Sequence, residues 1–163
     1  EGNRLESLTI GQLRGIYTGT ITNWKELGGP DEKIILYGRE NSSGTYEYFK
    51  EHVLNKKDFA PETQTLSGTA AVVNAVSKDP NGIGYGGAAF GKGIKEISVA
   101  GSDGKPVAPT KETVYAGTYP LSRDLYIYLR QQPTGPVKQY LDWVLGPEGQ
   151  AVVTEVGYYP IKQ

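Results

Sequence analysis

The spacing of apolar positions changes from strand-like to helical near Arg39, and the rest of the chain is organised around that change. Ile34, Ile35 and Leu36 form a β-branched apolar run that predicts a buried strand, and Asn41, Ser42, Ser43 and Gly44 break it. From Thr45 onward Tyr46, Phe49 and Val53 recur at helical spacing, predicting a helix to about Leu54 with His52 at the edge of its core face. Before this stretch, Leu5 to Tyr17 reads as a short helix with Ser7 and Thr9 as candidate caps. Trp24 reads as a packing anchor ahead of the turn Gly28-Gly29-Pro30. After it, Asn55 to Thr65 reads as a polar loop. Ser67-Gly68-Thr69 opens a second helix whose inward face is Ala71, Val72, Ala75 and Val76. Ile83-Gly84-Tyr85, Ile94 to Val99 and Leu125 to Leu129 read as strands, with a polar loop from Ala100 to Thr113. Val137, Tyr140, Leu141, Val144 and Leu145 mark the clearest helix, Thr134 to Leu145, followed by one that starts at Pro147 and ends at Gly157. Strands alternating with helices predict a three-layer α/β domain.

The strand–turn–helix at Arg39 carries the candidate chemistry. A helix start presents unpaired N–H groups and a partial positive charge, and glycine lets an anion approach that backbone closely. Ser43 and Thr45 add hydroxyls, and Arg39 adds a planar fork suited to bidentate oxyanion contact. The same residues fit a plain helix cap at Ser42 or Ser43, with Arg39 paired to Glu40 or Glu47, and spacing alone leaves both readings open. Ser67-Gly68-Thr69 echoes the motif without a preceding arginine and reads as an ordinary capped helix packed on a sheet. Gly82-x-Gly84-x-x-Gly87 resembles a dinucleotide fingerprint but follows no strand. The run from Gly86 to Lys92 falls short of a phosphate-binding P-loop because Gly93 stands where the hydroxyl residue belongs.

Composition narrows the field. At 163 residues the chain suits one domain with a real core. A formal net charge of −1 and the absence of a basic run exclude electrostatic capture of nucleic acid. With no cysteine, thiolate catalysis, disulfides and Cys-ligated metal are excluded, and the single His52 speaks against a His-rich metal site or a Ser-His triad. No catalytic residue, metal site or cofactor is expected. Twelve tyrosines supply rings that suit clefts and interfaces. No apolar stretch approaches the ~20 residues that span a bilayer. The chain opens with Glu1 and lacks methionine, so it reads as a processed or excised piece.

Four segments in order, Leu8 to Gly29, Gly38 to Phe49, Asn81 to Gly87 and Tyr119 to Leu129 with Trp143 to Val153, resemble the phosphate-binding proteins of bacterial phosphate ABC transporters. Those proteins have the type II periplasmic binding protein fold, whose lobes carry a mixed, mostly parallel sheet. The resemblance implies a phosphate-binding, non-catalytic solute-binding lobe, periplasmic or extracellular, with or without a membrane anchor on the full-length protein. It would work with an ABC transporter permease. Arg39, Ser43, Gly44 and Thr45 would contact inorganic phosphate, supported by Asn41 and Ser42; Asn41 stands where some members brace the arginine with aspartate. The family's first lobe, with its proton-accepting carboxylate, is missing. Residues 1–163 are expected to form a single lobe in which 119–163 corresponds to the segment that returns to that absent lobe. The implied partners are phosphate, the permease, and either the missing lobe or a second copy of the chain in a homo-oligomer. A rival reading is an interaction or scaffold module of the same fold with weak or no ligand binding.

Overall fold

The computed structural model describes residues 5–91 and 93–161, so Lys92 of the P-loop-like run and the last two tail residues lie outside it. In chain order the elements are β1 (Ser7–Thr9), α1 (Ile10–Tyr17), β2 (Ile35–Arg39), α2 (Gly44–His52), β3 (Gln64–Leu66), α3 (Gly68–Lys78), β4 (Gly82–Ile83), β5 (Ser98–Ala100), β6 (Pro106–Val107), α4 (Lys111–Tyr115), α5 (Gly135–Leu145) and α6 (Pro147–Glu155). A 3₁₀ turn at Trp24–Leu27 lies between α1 and β2. The class is α/β with mainly parallel pairing. The strands form two three-stranded sheets, in the orders β1-β5-β6 and β3-β2-β4, where the sequence suggests one. Only β5 and β6 pair antiparallel among these strands.

The chain divides into two compact units, residues 1–121 and 122–163. The first has a core of Leu8, Leu13, Ile16, Tyr17, Trp24, Ile34, Leu36, Phe49, Val53, Leu54 and their neighbours, with Tyr119 and Leu121 packed against it. Thr9 caps α1 in a reciprocal box with Gln12, which turns Leu13, Ile16 and Tyr17 inward. Trp24 is buried and donates its indole N–H to the Asn81 carbonyl at 3.0 Å, anchoring the loop before β4. The Tyr17 hydroxyl lies 3.1 Å from the Tyr37 carbonyl and 3.2 Å from that of Ile83. One buried hydroxyl therefore ties β2 to β4 where their short ladder ends.

The second unit, taken by itself, is two helices and a preceding chain, with no strand among the described residues. α5 and α6 stand where the apolar spacing and Pro147 place them. Every large hydrophobic side chain that is exposed among the described residues belongs to this unit, from Leu125 to Ile161.

Several expectations need correction. Leu125 to Leu129 is not a strand: it has no pairing partner among the described residues, and all five side chains are exposed. A strand needs a neighbouring ladder, which composition cannot supply. Ser7 is not a cap but lies in β1, because Leu8 is buried there and Ser7 pairs with Ser98. The Asn55 to Thr65 loop runs into β3, an edge strand too polar to show alternation. The strand expected over Ile94 to Val99 is shifted to Ser98–Ala100. The loop from Ala100 to Thr113 contains β6 and the start of α4. The strand expected over Ile83 to Tyr85 is limited to Gly82–Ile83, because at Gly84 the chain lies against Val72 and Val76 of α3 with no room for a Cβ.

Candidate anion site

β2 and β3 run parallel with Arg39 opposite Leu66, and each strand leads directly into a helix. Two helix starts therefore lie side by side beyond the carboxyl ends of adjacent strands, the place where open α/β sheets hold ligands. Ser43 is the N-cap of α2 and Ser67 that of α3. Leu66 leads into α3 within two residues, and Gly68 makes the turn at φ 77°, a left-handed conformation that costs glycine little.

Ser43 is buried, and its Oγ accepts from the Thr45 N–H at 3.2 Å. That bond uses one of the free N–H groups of α2 and leaves the Ser43 hydroxyl proton to donate elsewhere. Gly44, Asn41 and Ser42 are exposed, and Thr45 is half-buried. Five of the six residues expected from the sequence thus lie on one turn and the first helical turn after it, and the sixth, Arg39, ends the strand that leads into them.

Arg39 ends β2. Its backbone N–H donates to the Tyr85 hydroxyl at 3.3 Å, and its Nη1 donates to the Thr69 Oγ1 at 2.9 Å. Only 14% of its side chain is exposed. Nη2 is 3.9 Å from Glu40 Oε1, too far for a hydrogen bond, and Nε is buried without a partner among the described residues. A guanidinium at the positive ends of two helices gains nothing from their dipoles, and a buried unmet N–H costs about 1–3 kcal/mol. An anion relieves both.

Behind the site lies an aromatic cluster. Phe49 of α2 stacks on Tyr85 with ring centres 4.0 Å apart, and Tyr17 meets both edge-on. Burial pushes the Tyr85 hydroxyl up to about 12, against the smaller opposing effect of the Arg39 N–H bond. His52 is exposed, stacked on Tyr48 at the far end of α2 and away from this chemistry.

Sequence reasoning missed two contributors. Thr69 belongs to the echo motif that reads as a plain capped helix, and Tyr85 to a glycine-rich stretch that reads as a strand but lies in the loop after β4. The repeated Ser-Gly-Thr was the available signal, but its partner arginine lies on the adjacent strand.

The model of the PBP superfamily domain matches residues 1–148. The phosphate-binding protein PstS of Pseudomonas aeruginosa is 36% identical over 177 residues, covering 98% of this chain and 55% of that protein. PstS of Staphylococcus epidermidis is also 36% identical, over 94% of this chain and 49% of its own length. The chain thus spans about half the length of these relatives. Among solved structures, a phosphate ABC transporter substrate-binding protein with bound phosphate from Clostridium perfringens superposes with a TM-score of 0.82 at 34% identity. That match covers 98% of this chain and 65% of that one. A phosphate transport receptor from Vibrio cholerae gives a TM-score of 0.79 at 27% identity, over 99% and 66% of the two chains.

Proposed function

The chain belongs to the PBP superfamily, and from that premise we propose that it is a non-catalytic phosphate-holding lobe of a solute-binding protein for ABC-transporter uptake. The buried Arg39 Nε–H, without a partner among the described residues and on a fork held by Thr69 at the start of α3, carries this reading. It is a donor that lacks an acceptor among the described residues, in a chain whose fold is that of similar phosphate-binding proteins. Arg39 supplies the fork, Ser43 and Thr45 supply hydroxyls, and Gly44 supplies an exposed backbone N–H. Asn41 and Ser42 border the turn. No cofactor is required for binding of this kind. The setting we propose is periplasmic or extracellular, beside the permease; among the described residues no helix is long and apolar enough to cross a membrane.

Residues 1–163 are proposed to form one lobe with a returning segment at 119–163. Tyr119 and Leu121 pack on the first unit's core, so the departure begins in earnest at Ser122. The exposed apolar side chains of that segment favour cover by a first lobe or by a second copy of the chain.

This chain offers donors from one side only, and each net bond made in competition with water contributes ~1 kcal/mol. Binding near millimolar follows, about −4 kcal/mol, with little discrimination against sulfate. Titration of the chain with phosphate and with sulfate, followed by amide NMR, tests this. Shifts centred on residues 39–45 with either anion support the reading; no response to tens of millimolar phosphate overturns it and favours the scaffold alternative.

A further inference from the structure

We propose that Thr69, the second residue of α3, is a positioning residue that sets the orientation of the Arg39 fork. The inference rests on the anion-site reading above. Arg39 has five N–H donors in a plane, and where its unpaired edge faces depends on which donor is tied down. The structure ties Nη1 to the Thr69 Oγ1 at 2.9 Å, leaving Nε and Nη2 as the edge without a hydrogen-bond partner among the described residues.

Thr69 is itself held. The loop after β4 brings Gly86 against it so closely that a Cβ there would collide with the Thr69 methyl group. β-branching makes χ1 stiff, so a methyl group packed against Gly86 keeps the hydroxyl turned to Arg39. The adjacent Tyr85 hydroxyl accepts from the Arg39 backbone N–H, so the same loop fixes the strand end and, through Thr69, the guanidinium. A planar fork held at one corner loses little freedom when an oxyanion binds the other edge, and preorganisation of this kind raises affinity. Asn41, two residues after the arginine, is exposed, and the contact that holds the fork comes from the neighbouring helix.

The test uses the full chain and inorganic phosphate. Thr69→Val keeps the shape and removes the acceptor, whereas Thr69→Ser keeps the acceptor. Phosphate titration should show the valine variant binding about tenfold more weakly, ~1.4 kcal/mol, and the serine variant close to the parent. In an Arg39→Lys background the valine should change affinity by less than about twofold, since the two side chains act as one unit. Without phosphate, the Arg39 Nε and Nη proton–nitrogen signals report the fork directly. Rotation about the guanidinium bonds should be slowed in the parent and in Thr69→Ser, and fast in Thr69→Val. Equal phosphate affinity in the parent and Thr69→Val, or an equal loss in the arginine and lysine backgrounds, overturns the positioning role. A parent that binds no phosphate overturns the phosphate reading instead, and the guanidinium signals of that same sample still decide the brace. Signals that depend on Thr69 uphold it for another ligand, and signals indifferent to Thr69 remove it.

Discussion

Replacing Arg39 by lysine separates a binding arginine from a structural one. The guanidinium holds Thr69 with one donor and keeps Nε and Nη2 without a hydrogen-bond partner among the described residues, with Nη2 3.9 Å from Glu40 Oε1 and only 14% of the side chain exposed. An ammonium has the same charge but no rigid fork, so it cannot keep the Thr69 bond and also offer two parallel donors. The change removes one charge-assisted hydrogen bond to the anion, worth about 1.5–3 kcal/mol. The retained charge between two helix starts offsets part of that, leaving a loss of ~1.5–2 kcal/mol, about 10–30-fold in affinity. From a millimolar parent the variant falls into the tens of millimolar, a range that amide chemical-shift titration reads directly. Arg39→Met makes the complementary point. It removes a positive charge from two positive helix ends and relieves the buried Nε–H, so thermal stability should hold or rise while phosphate binding disappears. Lysine binding as tightly as arginine, together with a methionine variant that unfolds several degrees earlier, would refute the reasoning and make Arg39 a structural residue.

Other outcomes follow from the same contacts. Tyr17→Phe deletes the buried hydroxyl shared between the Tyr37 and Ile83 carbonyls and should destabilise the first unit by about 1–2 kcal/mol in urea unfolding; no change would mean that the tie is idle. Burial pushes Tyr85 up to about 12, so the late component of a 295 nm absorbance titration, to which the buried Tyr17 also contributes, should shrink but not vanish in Tyr85→Phe. The neutral form of Tyr85 is favoured in the folded state, so its contribution to stability is complete below the ordinary tyrosine value of about 10 and is lost as pH rises from there toward 12. Sedimentation should show concentration-dependent self-association through the second unit, weakened by Leu125→Ser with Ile127→Ser, whereas a clean monomer at all concentrations would remove that expectation.

Local sequence determined the elements whose causes are local. The Ile34 to Leu36 run, the Ser43 cap, the Tyr46–Phe49–Val53 spacing and the Pro147 start each act within a few residues, and their elements form where the spacing places them. The candidate site residues 39 to 45 were legible for the same reason: one strand end, one turn and one helix start carry them all. Tertiary structure decided whatever depends on a neighbour distant in sequence. Leu125 to Leu129 has strand composition and no strand because pairing requires a second backbone alongside, and none among the described residues provides one. β3 has little strand character and is a strand because β2 lies next to it. The partner of Arg39 could not be read from its own stretch, since Thr69 is 30 residues away and meets it only when two parallel strands bring their helix starts together. A side chain's partner is set by register across the sheet, and register is a property of the folded chain.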